Sequence, residues 1–276
     1  MTGRNFRDLL DAQWDKEKFL CVGLDPDLSK IPEALRKAGA KETIVAFNRA
    51  IIDATGDIAC AFKPNSAFYE AHGEEGYAAL RETVEYSLER APGTAIILDA
   101  KRADIGNTNI GYAVAAFDHL KADALTVQPY AGFAALKPLF ERPEKGVLVW
   151  CRSSNEGAGE FQDLEIEGAP LYVHVARHCA DEWNENGNCG LVVGATYPEE
   201  IANVRAAAAE LPFLIPGTGA QGGDLGKSVA AAKDSNGAGF VLSVSRAILY
   251  ASSGPDFAEA AGKAARGFHD AIKRAL

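Results

Sequence analysis

Runs of nearly unbroken apolar residues recur along the chain at 19–25, 58–64, 94–101, 124–129, 146–152, 188–195, 212–217 and 240–245. Continuous rather than alternating hydrophobicity is what a parallel strand covered on both faces requires. The segments between them carry Ala, Glu, Lys, Arg and Leu with helical periodicity, as at 74–90, 107–120, 198–210 and 256–274. Eight strand–helix units predict an α/β chain closed into a (β/α)8 TIM barrel. A doubly wound open sheet is the alternative, but no Gly-x-Gly-x-x-Gly follows the first run. No low-complexity stretch or linker divides the chain, so residues 1–276 are expected to form a single domain.

Composition narrows the setting. With 47% hydrophobic and 24% charged residues, the chain can bury a large core. A net charge of −10 with no Lys/Arg-rich run disfavours nucleic acid and anionic membranes as partners, while leaving room for a local cationic pocket. The cysteines at 21, 60, 151, 179 and 189 form no Cys-x-x-Cys pair, which suits reduced, buried thiols in the cytoplasm. His174 and His178 stand four apart on a predicted helix, but no third ligand accompanies them, so no metal site is expected. Neither an export signal nor a membrane-spanning run is evident.

In such a barrel the chemistry sits at the C-terminal ends of the strands. The first run delivers Asp25 there, the second Lys63, and the third Asp99 and Lys101. Side chains alternate along a strand, so Asp99 and Lys101 are expected to share one pocket. Asp104 lies beyond the strand and need not join them in the same subunit. A salt bridge at the rim explains such a pair too, and a solvated charge explains any one of these residues. A lysine held between carboxylates nonetheless stays protonated and becomes a placed acid.

Two further signals lie downstream. Pro216-Gly217-Thr218-Gly219-Ala220-Gln221-Gly222-Gly223-Asp224 follows the seventh run, and Ser245-Arg246 ends the eighth. Glycines let a backbone close on a ligand with its N–H groups turned inward, and Arg246 can grip two phosphate oxygens, so a phosphate site is expected there. A plain tight turn accounts for the glycines alone equally well. The irregular segment 153–170 is longer than most strand–helix connections and reads as a mobile lid, with a passive surface insertion as the other reading. Ser154 is placed to meet a ligand at its base, with Ser153 as a competitor.

Taken together, Asp99-x-Lys101-x-x-Asp104-Ile105-x-Asn107-Thr108, Pro216-Gly-x-Gly-Ala-Gln221-Gly-Gly-Asp and Ser245-Arg246-Ala-Ile resemble the orotidine 5'-phosphate decarboxylases. With Phe62-Lys63-Pro64-Asn65, the likeness is to their longer bacterial subgroup. Related sugar-phosphate barrels share the Asp-x-Lys-x-x-Asp pattern but bind magnesium. The resemblance implies a decarboxylase that uses no cofactor. It further implies that Asp25 and Lys63 hold the ribose hydroxyls, with Lys63 also bonded to the catalytic acid, and that Asp99, Lys101 and Asp104 form the charged array at the reacting carbon. Gln221 and Arg246 would hold the phosphate and Ser154 the pyrimidine. Asp104, Ile105 and Thr108 would act in the neighbouring subunit's site, which implies a homodimer. The chain departs from shorter members in Asp25-Pro26-Asp27 and in the lid. Two rival readings are a magnesium-dependent decarboxylase or aldolase of sugar phosphates, and a nucleotide-binding barrel without activity.

Overall fold

The structure is a computed structural model and describes residues 3–217 and 224–276. Each apolar run becomes a strand: β1 Leu20–Leu24, β2 Ala59–Pro64, β3 Ala95–Arg102, β4 Ala124–Val127, β5 Gly146–Arg152, β6 Cys189–Val193, β7 Phe213–Pro216 and β8 Phe240–Val244. All neighbours pair in parallel, and β1 closes the barrel on β8 with Leu20 opposite Leu242. Most strand residues are fully buried because the barrel interior is packed and helices cover the outside. The open-sheet alternative is thereby excluded.

The outer helices are α2 Ala40–Thr55, α3 Gly73–Arg90, α4 Gly106–Ala113, α5 Phe133–Phe140, α6 Leu171–Asp181, α7 Pro198–Ala207, α8 Leu225–Ala232 and α9 Phe257–Ala275, preceded by α1 Phe6–Trp14. The helix predicted over 107–120 is not uniform, since its second half, Val114–His119, winds as a wider π-turn. The segment 153–170, irregular in sequence, contains regular elements. It holds the short helix Gly159–Gln162 and a two-stranded hairpin pairing Glu165–Ile166 with Ala169–Pro170.

At the lower end, α1 lies across the barrel mouth. The Trp14 indole N–H donates to the Phe240 carbonyl at 2.9 Å, and Phe19 stacks between Trp14 and Phe240 with centroids 6.5 and 4.8 Å away. Beside it the end of α9 is tied to the turn between α1 and β1 by Lys273–Glu17 at 2.6 Å. The floor is thus closed by packing, and the opposite rim is left for chemistry. No helix among the described residues is long and apolar enough to cross a membrane.

Candidate active site

Asp99 is the hub of the rim. Its carboxylate is buried and accepts three bonds: from Lys63 Nζ at 2.9 Å, from Lys101 Nζ at 2.7 Å and from Thr126 Oγ1 at 3.0 Å. Burial alone would raise its pKa, but the two ammonium groups overcome this and hold it well below the usual carboxylate range. Lys63 is buried as well. Burial works against its charge, and Asp99 and Asp25 more than restore it, leaving Lys63 above the ordinary lysine range. The Asp99–Lys63 pair therefore stays ionised across the pH range in which enzymes work.

The pairing of Asp99 with Lys101 is present, but strand alternation does not produce it. The β3–β4 ladder slips between Leu98 and Arg102, and Lys101 adopts a left-handed backbone with φ +47°. Non-glycine residues seldom take that conformation, and such strain is characteristic of functional sites. The Lys101 ammonium, about one-third exposed, also lies 5.3 Å from the centroid of the Trp150 ring.

Next to the triad is a cavity of about 240 Å³ whose walls include Asp25, Lys63, Ser154, Gly217, Arg246 and Tyr250. Asp25 Oδ1 accepts the Asn65 N–H at 3.2 Å. Tyr250 fixes the turn that carries it: its hydroxyl donates to the Asp25 carbonyl at 2.9 Å and accepts the Asp27 N–H at 2.7 Å. Burial pushes that hydroxyl up to about 12, which keeps it a donor. Tyr250 stands four residues past Arg246, so one short stretch joins the expected phosphate grip to the loop of Asp25. Gly23 makes the close approach possible, because a Cβ there would fall 1.8 Å from Ser245 Oγ. Gln221 lies outside the described residues.

Of the two serines, Ser154 lines the cavity, whereas the Ser153 hydroxyl is bonded to Asn155. Arg152, at the end of β5, sets their position. Its buried guanidinium donates to Glu200 on α7 at 2.8 and 2.7 Å, to Gln162 at 3.2 Å, and pairs with Asp163 at 3.1 Å. Gln162 in turn accepts the Ser153 N–H at 2.9 Å. Replacing Arg152 leaves the largely buried Glu200 without its cation, so Arg152→Met is expected to lower stability by about 3 kcal/mol in urea unfolding.

Among the described residues, none of Asp104, Ile105 and Thr108 lines that cavity or is hydrogen-bonded to the triad. Asp104 is exposed, and its carboxylate accepts the Ile105 N–H at 2.6 Å. The Ile105 side chain is 65% exposed, and Thr108 is half-buried on the first turns of α4. The loop itself is firm, since buried Asn109 accepts the Asp104 N–H at 3.1 Å and donates to the Asp104 and Ala135 carbonyls at 2.7 Å each. Elsewhere, His174 is bonded to the Ile166 carbonyl and His178 to Glu182.

A family model described as "Orotidine 5'-phosphate decarboxylase / HUMPS family" matches residues 18–262. The chain belongs to that family. Among proteins similar to this member is an orotidine 5'-phosphate decarboxylase of Janthinobacterium sp. (strain Marseille), 50% identical over 98% of both chains. A solved structure of Leishmania donovani OMP decarboxylase is 39% identical with a TM-score of 0.84, covering 99% of this chain and 100% of that one. Leishmania donovani UMP synthase matches with 40% identity and a TM-score of 0.86, over 98% of this chain and 57% of that longer one. As an orotidine 5'-phosphate decarboxylase family member with such relatives, the chain is an enzyme of the carboxy-lyase class.

Three residues at this decarboxylase-family site escape the sequence reading. Thr126 looks like any β-branched strand former, Trp150 like core, and Tyr250 has no motif around it. Only the fold brings them to the rim.

Proposed function

We propose that the chain converts orotidine 5'-phosphate to uridine 5'-phosphate in pyrimidine biosynthesis, without a cofactor, and that Lys101 is its general acid. The observation that carries this reading is the buried Asp99 carboxylate held between Lys63 and Lys101, beside a cavity whose wall includes Arg246. Breaking the bond from C6 to the carboxylate releases carbon dioxide and leaves an electron pair on C6 with no adjacent carbonyl to take it up. A fixed ammonium stabilises that pair as it develops, and Lys101 then transfers a proton to C6, recovering one from solvent. Asp99 keeps Lys101 charged and oriented. Lys63 and Asp25 hold the ribose hydroxyls, Ser154 the pyrimidine edge, and Arg246 with Gln221 the phosphate. Closure of the 153–170 segment adds remote binding energy to the organisation of the reacting centre.

The site is completed by a second copy of the chain. Exposed Asp104 and Ile105, with Thr108, would enter the partner's triad, giving a homodimer with shared sites. The five cysteines are free and buried, in keeping with a reducing cytoplasm.

Both Asp99 oxygens already accept lysine or threonine donors, which a divalent cation would have to displace. Turnover with excess chelator is therefore expected to equal turnover without it, followed as loss of the orotate absorbance and formation of uridine 5'-phosphate. Activity lost to the chelator, or no reaction by folded dimer, would move a phosphorylated sugar to the front.

A further inference from the structure

Between the matched pairs Leu98–Leu125 and Arg102–Val127, strand β3 has three residues, Asp99, Ala100 and Lys101, where β4 has one, Thr126. A plain ladder cannot serve such a bulge, because the additional N–H groups on β3 meet no carbonyl across from them. The Thr126 side chain takes their place. Its Oγ1 accepts the Ala100 N–H at 3.0 Å and the Lys101 N–H at 2.9 Å, and donates its own hydrogen to Asp99 Oδ1 at 3.0 Å. A hydroxyl has one hydrogen to give and two lone pairs, so this one is fully used.

The same oxygen thus fixes the Lys101 backbone, held at φ +47°, and the carboxylate that Lys101 Nζ grips. Thr126 is itself rigid. It is 1% exposed, β-branched, and paired on its far side with Leu148 of β5. Its hydrogen bond to Asp99 has a further consequence. It occupies part of the oxygen shared with Lys101, and so limits where the ammonium can settle on that carboxylate.

We infer that Thr126 is a positioning residue of the decarboxylation site, whose hydroxyl sets the Asp99–Lys101 pair by bonding both the acid and the bulged backbone between them. It touches no reacting atom, and its effect is on the placement of the Lys101 ammonium. The inference rests on the reading of Lys101 as the acid.

The test compares Thr126→Val, which keeps shape and loses the hydroxyl, with Thr126→Ser, which keeps the hydroxyl. Misplacing a catalytic group by about an ångström costs on the order of a hundredfold, so kcat for orotidine 5'-phosphate is expected to fall about a hundredfold in Thr126→Val. KM should stay within about threefold of wild type, and Thr126→Ser should recover kcat to within about threefold. A Thr126→Val enzyme with wild-type kcat overturns the inference, as does a Thr126→Ser enzyme equally impaired, since packing alone would then be at stake. Should Thr126→Val fail to fold, Thr126→Cys retains the volume with a weaker hydrogen-bonding group, and a kcat below that of Thr126→Ser is expected from it, parity with Thr126→Ser overturning the claim.

Wild-type turnover separates the two levels. An inactive wild type overturns the functional reading, and the positioning is then read from crystal structures of wild type and the folded variant. Departure of Lys101 from the left-handed region in the variant supports the role, and an unchanged backbone and ion pair overturns it.

Discussion

Lys101→Ala is expected to abolish turnover of orotidine 5'-phosphate, with kcat falling at least about 10⁴-fold, because general-acid and electrostatic contributions are lost together. Uridine 5'-phosphate should still bind to within about tenfold of the wild-type affinity. The separation follows from where Lys101 sits. Its ammonium is partly exposed at the mouth of the triad, and the contacts proposed for the nucleotide's phosphate and ribose belong to Arg246, Asp25 and Lys63. Asp99 loses one of three donors and keeps Lys63 and Thr126, so the buried carboxylate remains solvated by the protein and the fold survives. The pair of measurements is kcat from the absorbance change and Kd for uridine 5'-phosphate by calorimetry. Turnover within about tenfold of wild type would remove Lys101 from the role of acid.

A second large effect is expected from mixing two inactive variants. Asp104→Ala should be nearly as inactive as Lys101→Ala when each is purified alone. If Asp104 acts in the partner's site, a mixed dimer has one site with both residues intact and one with neither. Random exchange at equal concentrations therefore returns about a quarter of wild-type sites. The structure supplies the reason to look: Asp104 points to solvent from a loop stapled by Asn109, a firm backbone presenting an unshielded acid beside exposed Ile105. Co-expression with two affinity tags, followed by assay of the doubly tagged dimer, reads the outcome directly. Should the mixed dimers prove as inactive as their parents, Asp104 works within its own subunit or not at all.

Much of this was legible in the chain itself, for identifiable reasons. A parallel strand buried on both faces writes a continuous apolar run, so the strands could be located to within a residue or two, and the barrel placed Asp25, Lys63, Asp99 and Lys101 on one rim before any contact was known. What could not be read is whatever depends on pairing across the sheet. The left-handed turn at Lys101 arises from a mismatch between β3 and β4, and neither strand announces it alone. Thr126 bonds Asp99 and the Lys101 backbone only because that mismatch lies opposite it. Tyr250 reaches back across most of the chain to Asp25, a distance no local pattern encodes. The hairpin within 153–170 has strands of two residues each, too short for any periodicity, and its Ile166 carbonyl is bonded to the His174 ring. Gln221 lies outside the described residues, so the glycine-rich loop is carried by sequence alone.

The closed floor of the barrel bears on how this fold can be combined with others. Because α1 enters and α9 leaves on the same side, with Lys273 joined to Glu17, both tethering points for additional polypeptide hang below the barrel. A domain fused at either end would be suspended from the side opposite the rim, clear of the cavity lined by Asp25 and Arg246 and of the surface that carries Asp104. The architecture is thus modular by geometry: polypeptide added at either end would leave from the floor, on the side opposite the charged triad.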